Sequence, residues 1–188
     1  VPYAGYATAV VLNSSEKGRG IYTTFNGELM VAVIGNNFYK ITQNTTTGQL
    51  EAFSRGSLET YDGDVYIAEN NNAEICVTDG VYVYVYNWNT DGNITKLTPA
   101  QYDYTIYSNP GYISFQNGRF ILACQNTNYW ILSGFNNAFS WPIGASNPEL
   151  VGSIQTKPTR AQAAIPVPGG GNNLLVISTC SGFVASRA

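Results

Sequence analysis

Phe25-Asn26-Gly27-Glu28-Leu29-Met30-Val31-Ala32 and Gln116-Asn117-Gly118-Arg119-Phe120-Ile121-Leu122-Ala123 are two copies of one pattern. In each, Asn-Gly is followed by one charged residue and a short apolar run ending on Ala. Asn-Gly between such runs is the strongest short hairpin signal, because both residues tolerate the positive φ of a type I′ turn. The two Asn-Gly pairs lie 91 residues apart, and so do Phe38 and Tyr129. Half of that interval is about 45 residues, the length of one four-stranded propeller blade. Central hairpin turns recur near Gly35, Asp79, Asn126 and Ser181, at steps of 44, 47 and 55 residues.

Working outward, the chain reads as strand and turn almost throughout. The first set has strands at Gly20 to Phe25, Glu28 to Ile34, Phe38 to Ile41 and Gln49 to Phe53. The second runs from Val65-Tyr66-Ile67-Ala68 through Ala73 to Thr78 and Val81 to Tyr86, closing at Ile94 to Leu97. The third has Gly111 to Phe115, Arg119 to Cys124 and Tyr129 to Leu132, with a closing strand expected near Ala138 to Trp141. The fourth begins near Leu150 and includes Leu174 to Ser178, then Phe183 and Val184. Apolar residues nowhere keep a three-and-four spacing for three turns. Thr159 to Ile165 is expected to hold at most a short helix.

The second strands of these sets do not alternate. Leu29 to Ile34, Phe120 to Cys124 and Leu174 to Ile177 are continuous apolar runs. An antiparallel sheet with one wet face alternates apolar and polar residues, so such runs need cover on both faces. Blades stacked around an axis supply it. The expected fold is an all-β propeller of four-stranded antiparallel blades at about 18–53, 61–97, 110–143 and 150–188, with 1–17 as an arm or linker. A β-sandwich or a stacked-hairpin solenoid is the alternative. Three and a half blades do not close a ring, which takes four or more. With Val1 at the start and Ser186-Arg187-Ala188 after a third strand, the expectation is a piece of a longer propeller, or a chain that closes through partner subunits.

Composition narrows the chemistry. With no His, the chain cannot run Ser-His-Asp or Cys-His catalysis or ligate zinc through imidazole. Charged residues are 11%, against about 25% in ordinary domains. The net charge of −3 comes without any basic stripe, which argues against nucleic acid bound through its phosphates. The longest apolar runs are far too short for a transmembrane helix. Cys76, Cys124 and Cys180 each lie in an apolar run just before a turn, and are expected to be buried, reduced thiols.

Candidate sites are few. Asp62-Gly63-Asp64 resembles the start of a calcium loop but lacks the later ligands, so a turn is expected. Glu51, Glu59, Asp62, Asp64, Glu69 and Glu74 concentrate acids without singling out a glycosidase pair. Gly169-Gly170-Gly171 lacks the Lys-Ser/Thr of a phosphate loop. The sequons at Asn13, Asn44 and Asn93 are expected to be loops. Tyr3, Tyr6, Trp88, Tyr102, Tyr104, Tyr107 and Trp141 suit either a binding surface, sugar rings included, or strand positions. No catalytic, cofactor-binding or metal residue is assigned, and no enzyme activity or cofactor is expected.

The stretch Pro110-Gly111-Tyr112-Ile113-Ser114-Phe115-Gln116-Asn117-Gly118-Arg119-Phe120-Ile121 resembles an element of one phage family. So do Asn128 to Gly134, Phe139-Ser140-Trp141 and Ala145 to Val151. That family is the tail accessory, or packaged-DNA-stabilisation, proteins of short-tailed bacteriophages. The resemblance runs from about residue 18 onward and carries no catalytic signature. It implies a virion structural protein assembling around the tail axis below the portal. Such a protein helps close the DNA exit channel and connects tail parts. The partners implied are other copies of itself in a ring, and portal, adaptor and other tail proteins. A carbohydrate-binding propeller that recognises host surface glycan is the competing expectation. A carboxylate-based glycosidase is a third.

Overall fold

A computed structural model describes residues 11–12, 15–144, 146–154, 160–167 and 173–178, and the backbone of 182–186. Its first sheet is β1 (Gly18–Thr23), β2 (Leu29–Ile34), β3 (Asn37–Gln43) and β4 (Leu50–Ser57). The second is β5 (Tyr66–Glu69), β6 (Glu74–Thr78), β7 (Val83–Asn87) and β8 (Thr95–Lys96). The third is β9 (Pro110–Gln116), β10 (Arg119–Cys124), β11 (Tyr129–Leu132) and β12 (Val151–Ser153). The fourth holds β13 (Ala161–Pro166), β14 (Asn173–Ser178) and β15 (Gly182–Ser186). Strands neighbour one another in chain order within every sheet, and every pairing is antiparallel.

The first strands of the sheets also pack in succession. β5 lies against β1 and β9, and β13 lies against β9. Sheets whose inner strands neighbour one another in this way radiate from an axis. The chain is therefore a partial β-propeller, with three four-stranded blades and a three-stranded fourth among the described residues.

The cores lie between blades. Leu29, Val31, Val33 and Phe38 of the first blade meet Ile75, Val77, Tyr84 and Tyr86 of the second. Cys76, Val83 and Val85 leave the other face of the second blade to meet Phe120, Leu122 and Cys124. Ile121 and Ala123 leave the third blade to meet Ala161, Ala164, Leu174 and Val176. Successive side chains of a strand point to opposite faces. A continuous apolar run thus feeds two cores at once, as β6, β7 and β10 do.

Three expectations are corrected. The closing strand of the third blade is Val151–Ser153, which pairs with β11, and not residues 138–141. The Trp141 side chain is instead core, its Nε1 donating to the Ala138 carbonyl at 2.8 Å. This extends the third blade past residue 150 and moves the start of the fourth to Ala161. Residues 161–165 are strand, not helix, because Ala164 and Ile165 pair with Val176 and Leu175 and Ala161 and Ala164 join a core. Tertiary pairing overrides the helix propensity of Ala there.

The two Asn-Gly turns also differ. Asn117 and Gly118 both have positive φ (50° and 77°), the type I′ form. At the first pair only Gly27 does (72°), and the loop is wider, with Thr24 N–H donating to the Leu29 carbonyl. Asn26 Oδ1 accepts there from the Thr24 hydroxyl and the Glu28 N–H, so its side chain, not a left-handed backbone, shapes the turn.

Phe120→Ala removes a fully buried ring between the second and third blades and is expected to cost about 3–5 kcal/mol in chemical denaturation. Ile21→Ala, on a side chain 69% exposed, is expected to stay within about 0.5 kcal/mol of the parent.

Candidate functional site

The Asp62-Gly63 turn does hold a cation, and that cation is Arg19. Its guanidinium donates to the carbonyls of Gly35, Thr60, Asp62 and Gly63 at 2.6–3.0 Å, and to Thr60 Oγ1 at 2.8 Å. Arg19 is 7% exposed. Five directed donors on a rigid fork suit such a ring of oxygens better than a point charge does. Thr60 Oγ1 passes the contact on, donating to Asp79 Oδ2 at 2.7 Å. Asp79 also accepts from Tyr84 Oη and from the N–H groups of Val81 and Tyr82. Burial raises the Tyr84 phenol pKa well above its usual value, so Tyr84 stays a donor. Arg19, Thr60, Asp79 and Tyr84 thus form a charge-balanced clasp between the first two blades.

Five other acids are engaged, each at its own place. Glu69 Oε2 accepts from the Phe25 N–H, joining the second blade to the first. Glu74 Oε2 accepts from Asn70 Nδ2 and from the Ala138 N–H, joining the second blade to the third. Glu51 accepts from Asn44, and Glu59 pairs with Lys96. Asp91 bridges Lys40 and Arg55 at 2.7 and 2.6 Å and accepts from Tyr86 Oη, and Lys40 foremost lowers its pKa. Among the described residues no group of three or more acids or thiols is placed to hold a metal ion. No helix among them is long and apolar enough to cross a membrane.

The candidate aromatics separate sharply. Tyr102, Tyr107 and Trp141 are buried between the second and third blades, with Tyr104 packed against them. Their polar ends are satisfied by carbonyls: Tyr102 Oη by Tyr107, Tyr104 Oη by Leu97 and Tyr107 Oη by Gly144. These four are therefore core, and Tyr107 also has an edge on a cavity. Trp88 differs. It is half-buried, and its Nε1–H is buried with no acceptor. It lines a cavity of about 300 Å³ between the first two blades, with Phe25, Asn26, Glu69, Asn71 and Asn89. The sequence did not separate Trp88 from Trp141, since both follow polar residues near strand ends. A second cavity of about 390 Å³ lies over the third blade, lined by Ile106, Tyr107, Tyr129, Gly144, Ser146, Pro148 and Val151.

Cys76 and Cys124 are free and buried, as expected. Burial pushes the Cys124 thiol up to about 12 and raises Cys76 as well, which leaves both thiols unreactive. Asn44 and Asn93 lie in loops between strands. Tyr3, Tyr6, Cys180, the 169–171 triglycine and the Ser181 turn lie outside the described residues, as does part of the Asn13 sequon.

No protein-family model and no curated protein matches the sequence. Solved structures do match, and they are propellers. One is virginiamycin B lyase from Staphylococcus aureus, at 16% identity and a TM-score of 0.58, with 94% of this chain and 57% of that one covered. Another is the β-propeller domain of Cps50 (Swd1) from Myceliophthora thermophila, at 10% identity and a TM-score of 0.60, with 92% and 55% covered. A third is PorZ, a surface component of the type-IX secretion system of Porphyromonas gingivalis, at 14% identity and a TM-score of 0.57, with 92% and 20% covered. The chain spans just over half the length of the first two. At these identities the likeness establishes the propeller fold, and the fold hosts unrelated functions.

Arg19→Met is expected to cost about 2–3 kcal/mol by leaving buried oxygens without donors. Calcium or a chelator is expected to leave the thermal midpoint of the parent unchanged. A midpoint raised by calcium would return the turn to the metal sites.

Burial pushes the phenols of Tyr22, Tyr86 and Tyr104 from 10.0 up to about 12. The unfolded chain releases these protons near pH 10, before the folded chain does, so stability is lost as pH rises above that value. An alkaline titration is expected to show phenolate absorbance and loss of near-ultraviolet dichroism rising together. Full ionisation with the dichroism intact would contradict this.

Proposed function

We propose that this chain is a structural part of a short-tailed bacteriophage tail and works by assembly. One observation carries the reading: both outer faces of the blade array are apolar and in part exposed among the described residues. On the first blade, Ile21 pairs across from Ala32 on the face turned away from the second blade, with Met30, Ile34 and Leu50. Ile21 is 69% exposed and Leu50 is 38% exposed. On the fourth blade, Ala163, Ile165, Leu175 and Ile177 are half-exposed on the face opposite Leu174 and Val176. Apolar faces of this kind mark surfaces made to be covered. Packing by further blades or copies around an axis covers them in the way the inner faces are covered.

The resemblance between Pro110 and Val151 supplies the setting. The ring partners are then other copies of this chain, and the ring contacts portal, adaptor and other tail proteins. The low charge and the acids committed to joining blades suit a scaffold. We assign no catalytic role, and the lyase activity of the Staphylococcus aureus neighbour belongs to that protein. Glycan recognition is a second reading, favoured by the cavity at Trp88.

Light scattering of the purified chain is expected to report an oligomer. Ile21→Asp with Leu50→Asp is expected to shift it to monomer with the far-ultraviolet dichroism unchanged. In tail preparations, crosslinking is expected to join the chain to portal-proximal proteins. A chain that stays monomeric and crosslinks to no virion protein defeats the proposal.

A further inference from the structure

The cavity between the first two blades combines features that no other described surface shares. Three turns build it. The β1–β2 turn contributes Phe25 and Asn26, the β5–β6 turn contributes Glu69 to Ala73, and the loop after β7 contributes Trp88 and Asn89. Its walls include two aromatic rings, and Phe25 is 69% exposed.

Trp88 Nε1–H is buried and closed off from the cavity, so Trp88 offers a ligand its ring and not its N–H. The other polar groups are unspent. The Asn71 and Asn89 amides are exposed and their side chains engage no other described residue. Glu69 is 4% exposed and is held in place by the Phe25 N–H on Oε2, leaving Oε1 to accept from a ligand. Asn70 serves as the frame. Its Oδ1 accepts from the N–H groups of Asn72 and Glu74, and its Nδ2 donates to Glu74. The Asn26 Oδ1 is likewise committed to Thr24 and Glu28, so its Nδ2 faces no competing bond.

Planar amides, one carboxylate oxygen and aromatic faces around about 300 Å³ match one ligand chemistry. Vicinal hydroxyls donate to a carboxylate and accept from amide N–H groups, while the C–H face of a sugar ring packs on an aromatic ring. A buried carboxylate and a net charge of −3 disfavour anionic sugars. A cationic ligand would need acids grouped together, and Glu69 is the one acid lining the cavity. We propose that this cavity binds a neutral hexopyranose unit, presented at the end or within a surface glycan. The proposal rests on the glycan reading and not on the tail reading.

The test is saturation-transfer NMR on the 188-residue chain with glucose, galactose, mannose and N-acetylglucosamine. Transfer to at least one sugar is expected, with an affinity weakened about tenfold by Phe25→Ala, the effect of losing the exposed ring on which the sugar packs. Asn71→Ala and Asn89→Ala, at exposed positions that leave the fold intact, are expected to weaken it similarly. Ile106→Ala, at the other cavity, is expected to leave it unchanged. Transfer that survives all three cavity variants overturns this site while leaving glycan binding elsewhere on the molecule. Silence from all four sugars and from a glycan array overturns the site and the glycan reading together. Neither result touches the assembly measurements that bear on the tail role.

Discussion

Everything in this molecule depends on strands that bury both faces. A residue such as Val77 faces the first blade while Cys76 beside it faces the third. Each fully buried aliphatic or aromatic side chain contributes about 1.5–3 kcal/mol. No single sheet here can collect that alone, because a lone blade leaves both faces wet. Stability is therefore a property of neighbouring pairs, as in other repeat architectures. The same logic leaves the array with an apolar face at each end.

Polar groups hold the register between blades that apolar packing by itself leaves loose. The backbones approach closely at the inner strands. A Cβ on Gly20 would lie 2.8 Å from the Val65 carbonyl oxygen, and the Val65 N–H donates to the Arg19 carbonyl. Around that approach the Arg19 clasp, the Glu69 and Glu74 carboxylates and the Thr78 hydroxyl each reach from one blade to the next. Few charges are present, and several of them do this joining. A buried charge is tolerated only when fully paired, and Arg19 and Asp79 meet that condition through Thr60.

The candidate sites were only partly legible. Asp62-Gly63-Asp64 has the composition of a turn and bends the chain as one, but nothing local points to Arg19 as the group around which it folds. Arg19 lies more than forty residues away in sequence and arrives through the inner-strand packing of the first blade. The aromatics were legible as a class and not as individuals. Trp141 and Trp88 look alike in sequence, yet one finds a carbonyl three residues back and the other finds none.

The sequence by itself determined most of the strands, most of the hairpin turns and the two-sided cover. Those follow from period-two geometry, from turn chemistry and from apolar runs too continuous for a half-wet sheet. Only the tertiary structure decided that Val151–Ser153 closes the third blade, that 161–165 is strand, and which acids join which blades. Those outcomes turn on contacts between residues far apart in the chain, where a short polar segment or an alanine run has several workable local conformations. Packing against the neighbouring blade selects among them.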